Sequence, residues 1–137
     1  MEETIHCRGH EHVRGTHTST LELTTDDWLT PAGDCIIGIE ADRAPADFSS
    51  AFVSACQNAD ATITALLQTQ GHDATIVGRG HPDLTFESER GAVLRTSTYV
   101  DERTVMVDAD AAAADIDREL IETLADGAAL TTTLVVE

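Results

Sequence analysis

The chain has 137 residues and a mass of 14.6 kDa, the size of one domain, and at that length folding hides roughly two-thirds of the unfolded surface without a disulfide or metal staple. Apolar residues make up 42%, which excludes a disordered chain. Asp and Glu total 25 against 8 basic residues, all of them Arg, for a formal charge of −17; that field repels polyanions and argues against general nucleic-acid or anionic-membrane binding.

The opening Met1-Glu2-Glu3 has neither a basic nor an apolar leader pattern, so no secretory signal is expected and the location is read as cytoplasmic. Apolar runs such as Cys35-Ile36-Ile37-Gly38-Ile39 fall far short of the ~20 residues a membrane span needs. A first strand is predicted over 4–8, closing on the turn Arg8-Gly9-His10. A second covers 17–24, where Leu21 and Leu23 alternate with Thr20 and Glu22. Pro31-Ala32-Gly33-Asp34 turns into a third β run over 35–40. Pro45 then suits the first position of a helix whose Phe48, Phe52 and Cys56 share one face, followed by a strand over 61–68. The series recurs as 75–79 closing on Arg79-Gly80-His81, a less regular run over 84–95 broken at Gly91, and a strand over 104–108. A helix carrying Ile116, Leu120 and Leu124 follows, with Asp110 as its N-cap and Gly127 as its stop, and a strand covers 129–136.

Two matches support an internal duplication. Thr4-Ile5-His6-Cys7-Arg8-Gly9-His10 reappears as Thr75-Ile76-Val77-Gly78-Arg79-Gly80-His81, and Ala41-Asp42-Arg43-Ala44-Pro45-Ala46-Asp47 as Ala109-Asp110-Ala111-Ala112-Ala113-Ala114-Asp115. Between them Trp28 aligns with Tyr99. The chain therefore reads as a single α+β domain, 1–137, made of two half-repeats near 3–70 and 74–137, each β-β-β-α-β. Neither half buries its apolar faces well alone, so the two are expected to pack about a pseudo-two-fold axis. One form is a mixed β-barrel or barrel-like sheet with two helices, like the cradle-loop and double-psi barrels that Gly33-Asp34 resembles; the other is an open mixed sheet with both helices on one face.

The chemistry-bearing residues gather at the repeated turns. Arg8 and Arg79 offer planar forks for carboxylate or phosphate, Gly9 and Gly80 let a backbone come close, and His10 and His81 can donate, accept or ligate. With Asp34 they form a candidate site for a small anionic or polar ligand. The alternative is that Gly serves the turn while Arg and His cap neighbouring strand ends. His10, His17, His81 and Glu22 could supply the N/O ligands of zinc or another divalent metal, in a metal-binding protein or metal-dependent enzyme, although their spacing matches no established zinc motif. The repeated Asp42, Asp47, Asp110 and Asp115 fit helix starts without any chemistry. A third reading is a structural or partner-docking protein, with a homodimer open. Cys7, Cys35 and Cys56, odd in number and far apart, read as reduced, buried thiols.

Gly9-His10, Thr16-His17-Thr18-Ser19-Thr20-Leu21-Glu22, the run Leu29 to Gly38 that includes Gly33-Asp34-Cys35-Ile36-Ile37-Gly38, and Gly78-Arg79-Gly80-His81-Pro82-Asp83-Leu84 resemble the archaeal conserved family known as domain of unknown function 371. The resemblance spans essentially the whole chain. It implies an archaeal, cytoplasmic protein and brings no catalytic or binding residues with it. Replacement of Lys by Arg, with Asp, Thr and Ala enriched, further resembles a halophile protein, whose carboxylates are screened at high salt. Circular dichroism is then expected to show the fold loosening on dialysis to low salt; an unchanged spectrum would contradict that reading.

Overall fold

Alternating apolar and polar side chains build the strands, and Gly-, Pro- and Asp-containing turns separate them. The computed structural model describes residues 1–137. Its strands are β1 (Glu2–Arg8), β2 (Thr20–Thr24), β3 (Ile36–Gly38), β4 (Thr62–Thr69), β5 (His72–Arg79), β6 (Gly91–Arg95), β7 (Thr104–Met106) and β8 (Ala129–Val136); helix α1 (Ser50–Cys56) follows β3 and α2 (Arg118–Ala125) follows β7. The order β-β-β-α-β thus occurs over β1–β4 and again over β5–β8.

One sheet runs β1-β8-β4-β5, the other β3-β2-β6-β7. Exchanging the elements of the first series for those of the second leaves both orders unchanged. The first sheet is antiparallel throughout; in the second, β2 and β6 pair antiparallel while β3 and β7 add in parallel at the rims. The β2–β6 register sets Glu22 opposite Val93, with Leu21 opposite Leu94 and Leu23 opposite Ala92. Because successive side chains alternate, Leu21, Leu23, Ala92 and Leu94 enter the core while Glu22 and Val93 take the opposite, outer face.

The expected barrel does not close. Neither sheet joins its own rims, and the two sheets meet through single bridges, Arg8 with Ile39 and Arg79 with Val107. The open alternative fits, with two sheets where one was expected. The edges explain it: His6 N–H donates to Asp42 Oδ1 (2.8 Å) and Asp42 N–H returns a bond to the His6 carbonyl (2.9 Å). Asp110 does the same to Val77 (2.9 Å each). Loop aspartates occupy the edge groups of β1 and β5 that a continuous ladder would need. Asp110 is therefore an edge partner, and the N-cap of α2 is Asp117, which accepts from Glu119 N–H.

Both helices start later than the sequence suggests. Each is preceded by a 3-10 turn, Pro45–Asp47 or Ala113–Asp115, whose last residue folds back to accept the N–H of Ala44 (2.8 Å) or Ala112 (2.9 Å). This accounts for the repeated Asp47 and Asp115 by local hydrogen bonding. Gly127, at φ +87°, stands just past the C-cap Asp126 as the stop of α2. Phe48, Phe52 and Phe86 pack edge-on or tilted within the core, ring centroids 5.5–6.1 Å apart. At the rim of that core Glu3, nearly buried, holds the Arg43 guanidinium at 2.7 Å and accepts Ser49 N–H at 2.7 Å. No helix is long and apolar enough to cross a membrane.

The helices are exchanged between the two series. Gly9 N–H donates to the Ala128 carbonyl (2.8 Å) and the residue packs on the last turn of α2; Gly80 N–H donates to the Ala61 carbonyl (3.0 Å) and His81 N–H to Cys56 O (3.0 Å) at the end of α1. A Cβ on Gly9 would overlap the Leu124 carbonyl, and one on Gly80 the Cys56 carbonyl. Backbone cannot yield as a flexible side chain can. Gly9→Ala and Gly80→Ala are each expected to lower stability by about 2–3 kcal/mol, while exposed Arg79→Ala stays within about 0.5 kcal/mol, as urea denaturation midpoints at constant m-value would show.

Candidate functional site

The two Arg-Gly-His turns lie against different helices, and their groups are largely engaged. Arg8 pairs with Glu40, and its Nη1 also reaches the Gly9 carbonyl (3.3 Å). His10 Nδ1 accepts His12 N–H (3.0 Å), and His81 Nδ1 accepts Asp83 N–H (3.0 Å). A ring nitrogen that accepts a backbone N–H leaves its proton on Nε2, so both imidazoles act as turn caps. Asp34 contributes its backbone carbonyl, which accepts from Thr16 N–H (3.0 Å) and His17 N–H (3.3 Å). Of the two arginines, only Arg79 keeps a guanidinium without an ion pair.

The proposed metal ligands His10, His17, His81 and Glu22 are not gathered: no three His, Cys, Asp or Glu side chains come together in an arrangement able to hold a metal ion. The physical reason is local. His17 Nδ1 accepts from Thr20 N–H (3.1 Å) and sits within reach of the Ser19 and Thr20 hydroxyls, fixing the start of β2. His10 and His81 serve their own turns, and Glu22 lies on a strand with other neighbours.

Those neighbours form a site of another kind. The outer face of the second sheet carries a groove of about 400 Å³, lined by Glu22, Thr24, Asp26, Trp28, Ile36, Ser88, Arg90, Glu102 and Arg103. Three features of the chain build it. The parallel ladder between β2 and β3 shifts register between Glu22 and Leu23, an irregularity of the sort that re-aims a side chain. Gly91, diagonal to Glu22, leaves the space that its carboxylate fills; a Cβ there would stand 2.6 Å from Glu22 Oε2. The β2–β3 loop then sets Trp28, the only tryptophan, at the wall with 56% of its surface exposed.

Charge in the groove is unevenly committed. Arg90 closes a two-pronged pair on Asp26 (Nε–Oδ1 2.9 Å, Nη2–Oδ2 2.8 Å) and holds that carboxyl below its usual range. Arg103 is shared between Asp101 (3.3 Å) and Glu22 (3.7 Å). Glu22, its side chain 12% exposed, has its pKa raised by burial, which Arg103, the Cys35 thiol and Arg95 only partly offset. Cys35 Sγ lies 3.6 Å from Glu22 Oε1; burial and that carboxylate push the thiol up to about 11. Cys7 and Cys56 are pushed up to about 12, chiefly by burial. All three sulfurs are therefore neutral near pH 7, so Cys35 acts toward Glu22 as a hydrogen-bond donor and not as a nucleophile. Neither Glu22 Oε2 nor the Glu102 carboxylate receives a hydrogen bond from the protein.

A second groove, about 480 Å³, lies beyond Glu102 and includes His81, Asp83, Val100 and Asp101. At the matching place near the first turn His12 Nδ1 bonds the Leu29 carbonyl (2.8 Å), so that space is filled. Trp28, Arg90, Glu102 and Arg103 were not anticipated as site residues from the sequence. The signal was present in the aligned pair Trp28/Tyr99: around that pair the two series differ, with Glu22 against Val93 and Thr24 against Arg95.

A carboxyl whose folded pKa is raised favours the native state below the ordinary value of about 4.3 and loses that contribution as pH rises through the folded value. Glu22→Gln is accordingly expected to keep the fold and raise Tm by a few degrees at pH 8, with the gain shrinking toward pH 5. Thermal denaturation at both pH values checks this; a lower Tm at pH 8 would mean that the contacts to Arg103 and Cys35 outweigh burial.

A protein of Methanocaldococcus jannaschii, "Uncharacterized protein MJ0206", is 41% identical to this chain over 136 residues, covering 99% of this chain and 100% of that protein. The family described as "Domain of unknown function (DUF371)" matches residues 5–137. With that match running from β1 to the last residue, the chain belongs to the DUF371 family.

Proposed function

We propose that the protein is a small-ligand-binding module whose site is the groove over the outer face of the second sheet, with Glu22 at its floor and Trp28 at its wall. We further infer that two half-repeats, about 3–70 and 74–137, build it as one domain, and that the site arises where they diverge. The single observation that carries the functional reading is Glu22. A carboxylate on the outer face of a sheet could rest in water; here it is largely shielded, destabilised in its charged form, and lines an open groove with one oxygen, Oε2, that receives no hydrogen bond and has only the Arg103 guanidinium at 3.7 Å. Retaining such a group costs stability, as binding sites commonly do.

An anion site at the Arg-Gly-His turns has less support, since Arg8 is committed to Glu40 and both imidazoles to their turns. Arg79 remains free for it, and His81 borders the second groove. The neutral thiols offer no sulfur nucleophile, which favours binding over thiol chemistry.

The only tryptophan lies in the groove, so its emission, excited at wavelengths Tyr99 does not absorb, reports on the site alone. Titration with a panel of amines, carboxylates, sugars and nucleotides at constant ionic strength is expected to give a saturable change in Trp28 emission with a matching rise in Tm. A flat response across the panel overturns the reading, as does an equal Tm rise in a Trp28→Ala, Glu22→Ala variant.

A further inference from the structure

Resting on the groove as the binding site, we propose that its ligand is an organic cation, a guanidinium or primary ammonium compound, held by Glu22 and stacked on Trp28. The protein carries an occupied version of the arrangement. Beside Tyr99 the Arg95 guanidinium lies over the ring, 4.9 Å from its centroid, and bonds Asp101 Oδ2 and Thr104 Oγ1, both at 2.9 Å. That guanidinium is almost wholly covered, its side chain 11% exposed.

Strand β2 corresponds to β6 position for position, Thr20–Thr24 to Gly91–Arg95, and Trp28 stands where the second series has Tyr99. The residue matching Arg95 is Thr24. The first series has the aromatic wall without the internal cation. It also has Glu22 in place of Val93, so a carboxylate replaces an apolar side chain beside the open position. An indole face attracts a cation more strongly than a phenol ring, and more so where water is excluded.

The charges agree. Asp26 and Arg90 cancel within their pair, leaving Glu22, Glu102 and Arg103, an excess of one negative charge inside a chain of net −17. Glu22 Oε2 and the Glu102 carboxylate are unspent acceptors, and Arg103, whose Nη2 bonds Asp101, turns its Nη1 to Glu22 at 3.7 Å. A phosphate or carboxylate ligand would meet these oxygens with like charge; an ammonium or guanidinium meets them with donors.

The test uses agmatine and putrescine as probes, inorganic phosphate and a neutral sugar as controls, with NaCl adjusted to hold ionic strength. Calorimetry on the intact protein and Trp28 emission are read together. The expected result is one saturable site for agmatine, weakened about tenfold or more in Glu22→Gln and in Trp28→Ala. Glu22→Gln retains the shape of the side chain, and its Tm separates lost binding from lost folding. Equal agmatine affinity in Glu22→Gln overturns the proposal, because it makes the cation a counterion of the acidic surface. Saturable perturbation of Trp28 by phosphate or sugar but not by either amine also overturns it while leaving the groove as the binding site. Silence of Trp28 toward every probe removes both.

Discussion

The antiparallel pairing of β2 with β6 governs the rest of this molecule. Its register is centred on Glu22 and Val93, the one pair in which a residue faces the one that matches it in the other series. One face of that pair delivers Leu21, Leu23, Ala92 and Leu94 to the core. The other face is exposed to whatever the adjoining loops supply. At that central pair the first series has Glu where the second has Val, which puts a carboxylate in the middle of the outer face.

Helix exchange explains why the glycines recur. Each Arg-Gly-His turn must pass under the final carbonyls of the helix from the other series, and only a residue without Cβ passes that close. The same turns need an acceptor for a backbone N–H two residues on, which the His Nδ1 provides. Repetition of a motif here reports repetition of a packing problem. Both histidines of these turns, and Arg8, are engaged by the architecture, while Arg79 is not; the open groove sits where the two series differ.

Electrostatics divides in the same way. Most of the negative charge is spread along loops and edges, where Asp42 and Asp110 cap strands and Asp47 and Asp115 close 3-10 turns. Glu3 and Glu22 are the two carboxylates brought largely out of water, with opposite outcomes. For Glu3, burial raises its pKa but the Ser49 N–H and the Arg43 guanidinium more than compensate, and it ends below the usual range. Glu22 lacks a close cation, and burial prevails. A satisfied ion pair serves the fold; an under-satisfied carboxylate beside a cavity is available to a ligand.

Strand and helix positions were legible in the chain itself, because they follow from local periodicity. Alternation of Leu21 and Leu23 with Thr20 and Glu22, the i, i+4 spacing of Phe52 and Cys56, and the stop at Gly127 each act within a few residues. Open sheets in place of a barrel, and the occupation of edges by Asp42 and Asp110, depend on partners more than thirty residues away that no local pattern encodes. The groove is more distant still from one-dimensional reading: Trp28, Glu22, Arg90 and Glu102 come from loops and strands far apart in the chain and are joined by the β2–β6 register. Composition and periodicity specify what each segment can bury; only the folded chain decides which polar groups are left without a partner, since satisfaction is a property of neighbours in space.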